Sequence, residues 1–212
     1  MNHSFSSSQL TEPQLAALAK VACGAETGGG IVLLVGPPGV GKSLILQSFG
    51  GSQPPTASPR PTRAWLAPGQ ADLPATLLVD DAHLEQEADL AHLLTLARLR
   101  QPHAAAIVLA GQGRLLTLVA RDTRLAQAIR IRVTILPGSP TDTHRLVMAA
   151  LPATARLSDD AVSVIHEITG GVPAAVVRLA ELAAVVTASR TDSIVTAADV
   201  EAIHHRLSPL AA

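Results

Sequence analysis

The chain has 212 residues, of which 48% are hydrophobic and 16% are charged, and its formal net charge at pH 7 is −1. This composition excludes an intrinsically disordered chain, and the near-neutral charge argues against a strongly basic nucleic-acid binder. The single cysteine, Cys23, excludes an intramolecular disulfide and a zinc site built on thiolates.

The amino-terminal segment, residues 1–9, predicts a flexible tail. It has no charged region followed by an apolar run, so it does not resemble a signal peptide. The apolar runs of the chain are far shorter than the roughly 18–20 residues that a membrane span needs. Together with the lone cysteine, these features predict a cytoplasmic protein with no membrane span.

The first predicted elements are a helix, a strand and a second helix. Apolar residues recur at helical spacing over residues 12–22, and Pro13 suits the first turn of that helix. Residues 31–35 form a continuous apolar run, which is typical of a strand buried on both faces of a parallel sheet. A glycine-rich loop follows, and a helix is predicted over residues 42–49.

The next segment alternates between strands and helices. After an exposed loop over residues 50–61, strands are predicted over residues 63–66, 76–80, 105–110 and 131–136, with helices over residues 88–100 and 115–129. This alternation predicts an α/β domain with a parallel sheet that has helices on both faces.

The pattern changes after Pro137. No strand signal is visible there, and four helices are predicted over residues 141–151, 158–169, 173–188 and 196–207. Ser158 and Thr196 suit helix N-caps, Gly170 suits the end of a helix and Pro173 the start of the next. We therefore expect an α/β domain over residues 10–138 and a small all-α lid over residues 139–212.

A phosphate loop, defined here as residues 36–43, follows the first predicted strand and opens the second helix. Its glycines let backbone N–H groups converge on phosphates, Lys42 reaches the β- and γ-phosphates, and the hydroxyl of Ser43 ligates Mg²⁺. The competing interpretation is a chance glycine-rich turn. The full pattern predicts binding of ATP, or a closely related triphosphate, with Mg²⁺. The residues assigned to the nucleotide are Gly36, Pro37, Pro38, Gly39, Val40, Gly41, Lys42, Ser43 and Leu44.

Two acidic residues end the strand predicted over residues 76–80. An apolar strand that ends in an acid, about 38 residues after the lysine of the phosphate loop, is typical of a Walker B motif. Asp80 is expected to hold Mg²⁺ through water, and Asp81 to orient the attacking water. The alternative is that these acids merely end a strand and cap the next helix. His83 and the other histidines show no metal-ligand spacing, so we interpret them as structural.

Gln112 and a series of arginines complete the candidate site. Gln112 follows the third buried strand, where a polar side chain can sense the γ-phosphate; the alternative is a loop residue without a ligand. Most of the arginines are expected to be solvated. One of them is a candidate arginine finger that acts on the nucleotide of a neighbouring subunit, with Arg130 favoured over Arg124. The series is Arg114, Arg121, Arg124, Arg130 and Arg132.

This ordered set of motifs resembles the AAA+ ATPases, and within them the secretion-pathway ATPase A group, whose relatives include transposition ATPases. The resemblance runs from about Leu10 to the carboxy-terminal region. It rests on the phosphate loop together with Gly28-Gly29-Gly30, Asp80-Asp81-Ala82-His83, Val108-Leu109-Ala110-Gly111-Gln112, Leu125-Ala126-Gln127-Ala128-Ile129-Arg130, Leu157-Ser158-Asp159-Asp160-Ala161, Gly170-Gly171-Val172-Pro173 and Thr196-Ala197-Ala198-Asp199-Val200. It implies a P-loop parallel sheet in the order 5-1-4-3-2, ATP held with help from Pro173 of the lid, and homo-oligomers that form rings or filaments.

Three features depart from the family pattern. Asp81 stands where the family usually has Glu, which predicts slow hydrolysis. Ala174 stands where the family usually has a lid arginine, and Arg178, one turn later, is the candidate to replace it. Few residues separate Leu66 from Leu77, although a parallel crossover needs about a dozen. The second strand or the helix after it is therefore expected to be shortened, lost or rearranged.

The sequence leaves three functional hypotheses open. The first is an ATPase that uses ATP binding and hydrolysis as a conformational or assembly switch on an unidentified protein partner. The second is a nucleotide-dependent scaffold with little hydrolysis, which Asp81 and Ala174 favour. The third is a DNA-associated transposition-type ATPase, which the near-neutral charge disfavours.

Overall fold

A computed structural model describes residues 10–26, 30–50, 63–67, 76–86, 90–91, 95, 106–152, 156–187 and 194–207. The chain divides into two compact units. An α/β unit comprises residues 13–136, and a helical unit comprises residue 137 onward together with the segment up to residue 12. The predicted tail, residues 1–9, lies outside the described residues.

The α/β unit alternates helices and strands along the chain. Its elements are α1 (Glu12–Glu26), β1 (Gly30–Val35), α2 (Lys42–Gly50), β2 (Arg63–Ala67), β3 (Thr76–Asp80), a 3-10 turn (Ala82–Leu84), β4 (Ala106–Gly111), α3 (Gly113–Arg121), α4 (Thr123–Ala128) and β5 (Ile129–Thr134). Most of the helix predicted over residues 88–100 lies outside the described residues, but Leu90, Ala91 and Thr95 are helical.

The sheet has the predicted strand order, β2-β3-β4-β1-β5. Strand β1 lies between β4 and β5 and is parallel to both, with Val35 opposite Gly111 and Leu34 opposite Val133. Buried side chains from α1 and α2 pack on one face of the sheet, and those from α3 and α4 pack on the other. The continuous apolar sequence of β1 is explained by this burial on both faces, and the predicted α/β fold class is confirmed.

Strand β2 corrects the expectation of a wholly parallel sheet. It pairs with β3 in the antiparallel direction, with Arg63 opposite Asp80 and Ala67 opposite Thr76. Residues 68–75 are too few for a parallel crossover, whereas an antiparallel pair needs only a short connection. The rearrangement anticipated from the short spacing is therefore a reversal of the edge strand.

Two predicted boundaries also differ from the structure. The helix predicted over residues 115–129 is two helices, because Asp122 is extended and its carboxylate accepts hydrogen bonds from the amides of Arg124 and Leu125 as an N-cap. The last strand begins at Ile129, which lies opposite Ile31, and not at Ile131.

The helical unit contains the four predicted helices, α5 (Pro140–Ala150), α6 (Asp159–Thr169), α7 (Pro173–Thr187) and α8 (Ala197–Leu207). Contrary to the prediction, it also holds two parallel two-residue strands, β6 (Arg156–Leu157) and β7 (Ile194–Val195). Strands this short have no hydrophobic period that a sequence pattern can reveal. Among the helices that the structure describes, none is both long and apolar enough to cross a membrane.

Candidate functional site

The phosphate loop has a backbone that requires glycine at several positions. Gly39 and Gly41 have φ values of 80° and 95°, a region that residues with a side chain rarely adopt. At Gly36, an added Cβ would lie 2.9 Å from Cγ2 of Val40 and 3.0 Å from the carbonyl oxygen of Ile135. Glycine at these positions therefore allows the tight turn between β1 and α2, while Val40 anchors the loop in the core.

Lys42 is the first residue of α2, and its side chain lies along the loop. The residue is 7% exposed, and its Nζ donates hydrogen bonds to the carbonyl oxygens of Gly36 at 2.9 Å and Pro37 at 2.8 Å. Burial lowers the pKa of Lys42, and the nearby carboxylates of Asp80 and Asp81 oppose that shift. The structure thus brings the lysine of the loop close to Asp80 and Asp81 at the end of β3.

Asp80 is the last residue of β3 and is 1% exposed. Its carboxylate accepts a hydrogen bond from the amide of Asp81 at 2.9 Å. Because β3, β4 and β1 are parallel, Asp80 lies at the same edge of the sheet as the phosphate loop that follows β1. This edge is where ligands bind in open α/β sheets.

Asp81 has a left-handed backbone, with φ 55° and ψ 28°. Among the described residues other than glycine, it alone has a positive φ. Asp and Asn tolerate this conformation better than residues with longer side chains do, because their short polar side chains can bond locally. The left-handed turn is a physical reason for Asp at a position where the resembled family usually has Glu.

Gln112 stands directly after β4, at the N-cap position of α3. The amide of Gly36 donates to the carbonyl oxygen of Gly111 at 3.3 Å, so the first residue of the phosphate loop is bonded to the residue before Gln112. Gln112 is half-buried. The predicted sensor residue therefore lies beside the start of the phosphate loop.

His83 lies in the 3-10 turn after Asp81 and packs against Gly111. A Cβ added at Gly111 would lie 3.2 Å from both the Cβ and the backbone nitrogen of His83. Burial lowers the pKa of His83 against the opposing charge of Asp81, while Lys42 and Arg114 lower it further. Arg114 donates a hydrogen bond to the carbonyl oxygen of His83. This bond links α3 to the 3-10 turn after Asp81.

The residues present fit a magnesium–triphosphate group. The glycines allow the tight backbone turn of the phosphate loop, and the backbone amides at the start of α2 suit an anion. Ser43, the second residue of α2, and Asp80 offer hydroxyl and carboxylate oxygens, which are the hard ligands that Mg²⁺ prefers. Leu44 is half-buried in the same first turn.

Gln14 contacts the phosphate loop, a contact that no pattern in the sequence indicates. It lies in α1, is 2% exposed, and donates from Nε2 to the carbonyl oxygen of Val40 at 2.8 Å. Its carboxamide also fills the space beside Gly41. A glutamine in an amphipathic helix has no spacing pattern that marks it; only burial in the structure does.

Similar solved structures come from several proteins. The Thermotoga maritima RuvB Holliday junction branch migration motor has a TM-score of 0.56 and 16% identity, over 92% of this chain and 69% of that chain. The FIGL-1 AAA domain has a TM-score of 0.58 and 17% identity, over 95% of this chain and 82% of that chain. The closed state of Hsp104 with ATPγS and FITC casein has a TM-score of 0.58 and 12% identity, over 92% of this chain and 42% of that chain.

The chain has the AAA+ fold. The sequence matches no protein-family model and no curated protein, so the likeness rests on structure. A structural likeness at identities this low shows the fold and leaves the activity to be argued from the site. The narrower resemblance to secretion-pathway and transposition ATPases stays a prediction.

Within this AAA+ fold, Arg130 lies far from the phosphate loop of its own chain. Ile129 and Ile131 lie opposite Ile31 and Val32, which leaves Arg130 as an extra residue in β5, and its side chain covers Gly30 at the start of β1. The phosphate loop follows the opposite end of β1, about 17 Å away over the five residue-to-residue steps from Gly30 to Val35. A finger role for Arg130 is therefore open only toward a neighbouring subunit, and the same role for the exposed Arg124 of α4 stays a prediction.

The two lid residues assigned to the nucleotide lie on α7 of the helical unit. Pro173 begins α7 and is buried, and Arg178 is exposed one turn later. Before them, Gly170 and Gly171 have positive φ values of 57° and 70°. Ala174 is exposed and has no charge, so Arg178 is the basic residue that the first turns of α7 offer. Their contact with nucleotide stays a prediction.

Proposed function

We propose that this chain is an ATPase that binds ATP with Mg²⁺ at the phosphate loop and uses binding and slow hydrolysis as a conformational or assembly switch. The observation that carries this proposal is the position of Lys42. Its buried ammonium group is bonded to the carbonyls of Gly36 and Pro37 and lies within the electrostatic reach of Asp80 and Asp81.

Binding is assigned to the loop and to the first turn of α2. Backbone amides of the loop donate to phosphate oxygens, and Lys42 neutralises the β- and γ-phosphates. Ser43 and Asp80 hold the magnesium ion. When bound, Mg²⁺ supplies positive charge that stabilises the phosphate oxygens during transfer. Pro173 and Arg178 complete the nucleotide site in this proposal.

Hydrolysis is assigned to Asp81 and Gln112. Asp81 orients a water and accepts its proton as the water oxygen bonds to the γ-phosphorus and the bond to the β-phosphate oxygen breaks, which leaves ADP and phosphate. Gln112 donates to the γ-phosphate. The side chain of Asp81 is one methylene shorter than Glu, and a displacement of about 1 Å can cost on the order of 100-fold in rate.

The switch acts on a protein partner in this proposal. Triphosphate and diphosphate forms would favour different arrangements of the chain or of a homo-oligomer, in which Arg130 reaches the nucleotide of a neighbouring subunit. The resemblance to secretion-pathway and transposition ATPases favours a partner in secretion, envelope assembly or mobile-element biology, and we propose that the protein acts in the cytoplasm.

A scaffold with little hydrolysis is the second candidate. The left-handed Asp81 and the uncharged Ala174 favour it, because both stand where the resembled family has residues that accelerate hydrolysis.

A DNA-associated role is a weaker candidate. RuvB is described as a Holliday junction motor, but the net charge of −1 offers little attraction for DNA. ATP-dependent duplex binding that weakens steeply with salt would favour the DNA-associated role.

Single-turnover hydrolysis separates the switch from the scaffold. The protein is mixed in excess with radiolabelled ATP and Mg²⁺, and released phosphate is followed with time. Slow conversion of all bound ATP, abolished in Lys42→Ala, supports the ATPase. Bound ATP that stays intact over hours, at a stoichiometry near one, contradicts hydrolysis and supports the scaffold.

A further inference from the structure

The amide side chain of Gln14 is a buried polar group that no step of the proposed reaction uses. It is 2% exposed, and its Nε2 donates to the carbonyl oxygen of Val40 at 2.8 Å. A buried carbonyl that lost this donor would be left without a favourable partner, which is costly. The bond therefore ties the middle of the phosphate loop to the first turn of α1.

Gly41 is shaped around the same side chain. A Cβ added there would collide with Nε2 of Gln14 and would lie 3.2 Å from its Cδ. Gly41 also has a φ of 95°, so both its backbone and its neighbour require glycine. Two consecutive residues of the loop, Val40 and Gly41, thus have a conformation that fits Gln14.

The chain just before Gln14 is bonded inside the helical unit. The amide of Glu12 donates to Oδ1 of Asp142 at 3.0 Å. Nη2 of Arg145 donates to the carbonyl oxygen of Leu10 at 3.0 Å and to Oδ1 of Asp142 at 2.7 Å. Residues 10–12 belong to the helical unit, and the chain enters the α/β unit at Pro13.

We propose that the first turn of α1 couples the phosphate loop to the helical unit, with Gln14 as the positioning residue. Glu12 and Gln14 lie in the same helical turn, about 3 Å apart along the axis at 1.5 Å per residue. A shift of residues 10–12 therefore moves the Gln14 amide and, through Val40, the loop. This coupling rests on the proposed nucleotide site. It adds the route by which nucleotide binding at that site would affect the helical unit.

Amide hydrogen exchange of residues 39–41 in the nucleotide-free full chain tests this coupling. Gln14→Leu removes the bond to Val40, and Asp142→Ala removes the acceptor of Glu12. Arg145→Met is a second variant of the same anchor that leaves the N-cap of α5 in place.

Gln127→Leu, at an exposed position of α4, is the matched control for Gln14. Ser139→Ala, which weakens the cap of α5 without removing the acceptor of Glu12, is the matched control for Asp142.

We expect Gln14→Leu and Asp142→Ala each to speed exchange of these amides about tenfold, since opening free energies set exchange rates and a tenfold change corresponds to about 1.4 kcal/mol. Arg145→Met should act in the same direction, and the two controls should match the wild type. The double variant Gln14→Leu/Asp142→Ala should exchange no faster than Gln14→Leu alone. Additive effects, or equal exchange in Asp142→Ala and Ser139→Ala, would overturn the coupling.

Calorimetric titration with Mg·ATP on the same variants separates this inference from the proposed function. Weaker binding in Gln14→Leu and Asp142→Ala, by a similar factor, supports both. If the wild type binds no ATP but the variants still exchange faster than the wild type, the nucleotide site is refuted and the coupling is kept. Normal ATP binding with exchange unchanged in all variants refutes the coupling and keeps the site.

Discussion

The guanidinium group of Arg114 donates a hydrogen bond to the carbonyl oxygen of His83 at 2.8 Å. Arg114 lies two residues after Gln112, and His83 lies two residues after Asp81. The bond therefore joins the turn that carries the proposed water-orienting acid to the helix that follows the proposed sensor. This places Arg114 in a structural role and leaves the finger role to other arginines.

Replacing Arg114 should slow hydrolysis more than it weakens binding. Arg114→Met removes the bond to His83, and we expect a loss of about 1 kcal/mol in the free energy of unfolding, the typical net value of a hydrogen bond. Turnover should fall several-fold while the Kd for ATP stays unchanged. Urea unfolding measures the stability, steady-state kinetics measures the turnover, and calorimetric titration measures the Kd. Arg121→Met, at an exposed position at the end of the same helix, is the control. Equal losses in the two variants would contradict the link.

The left-handed backbone of Asp81 predicts that one substitution lowers hydrolysis and another lowers stability. Asp81→Asn keeps the short side chain and the turn but removes the carboxylate, so single-turnover hydrolysis should fall at least about tenfold for a lost general base. Asp81→Glu should lower stability by about 1 kcal/mol because longer side chains are strained there. A tenfold faster turnover in Asp81→Glu would support a degenerate site. Unchanged turnover in Asp81→Asn would rule Asp81 out as the base.

Asp142 predicts a loss of stability in acid. Burial alone would raise the pKa of its carboxyl, but hydrogen bonds from Glu12 and Ser139 and the charge of Arg145 hold that pKa below its usual value. A lowered pKa in the folded state stabilises the fold above the unfolded-state pKa of about 3.9 and loses that contribution as the pH falls further. Urea unfolding at pH 6 and pH 3 should show a smaller difference in Asp142→Asn than in the wild type. An identical difference would contradict this role.

Arg130 predicts an effect that depends on assembly. Its side chain lies at the far end of β1 from its own phosphate loop, so Arg130→Ala should leave ATP binding unchanged. If assembled copies share sites, turnover per subunit should rise with protein concentration in the wild type and not in Arg130→Ala. Light scattering with and without ATP and Mg²⁺ measures assembly in parallel. A mass that ATP leaves unchanged at high protein concentration would contradict the trans role of both Arg130 and Arg124.

The sequence predicted the elements whose signals are local. Strands β1, β3 and β4 are continuous apolar runs, and the helices of the helical unit begin at cap residues such as Ser158, whose side chain accepts a bond from the amide of Ala161. The phosphate loop and the two acids at the end of β3 are marked by spacing within short segments. These parts of the fold and of the site were therefore predictable.

Other features depend on contacts between distant residues and were not predictable. The short connection between β2 and β3 predicted a rearrangement of this part of the sheet, but the antiparallel pairing itself is visible only in the structure. Gln14 and Val40 are 26 residues apart, and nothing in the helix pattern marks the glutamine. The left-handed turn at Asp81 is likewise visible only in the backbone. In the sequence, Asp in place of Glu is consistent with that turn but does not predict it.

Binding of Mg·ATP at the phosphate loop is tested most directly by isothermal titration calorimetry of three proteins. These are the wild type, Lys42→Ala, and Lys20→Ala, which changes an exposed lysine of α1. The wild type and Lys20→Ala should bind one Mg·ATP with the same Kd. Lys42→Ala should bind about 100-fold more weakly, since it loses two or more charge-assisted hydrogen bonds to phosphate. No binding by the wild type, or equal binding by Lys42→Ala, would contradict nucleotide binding at this loop.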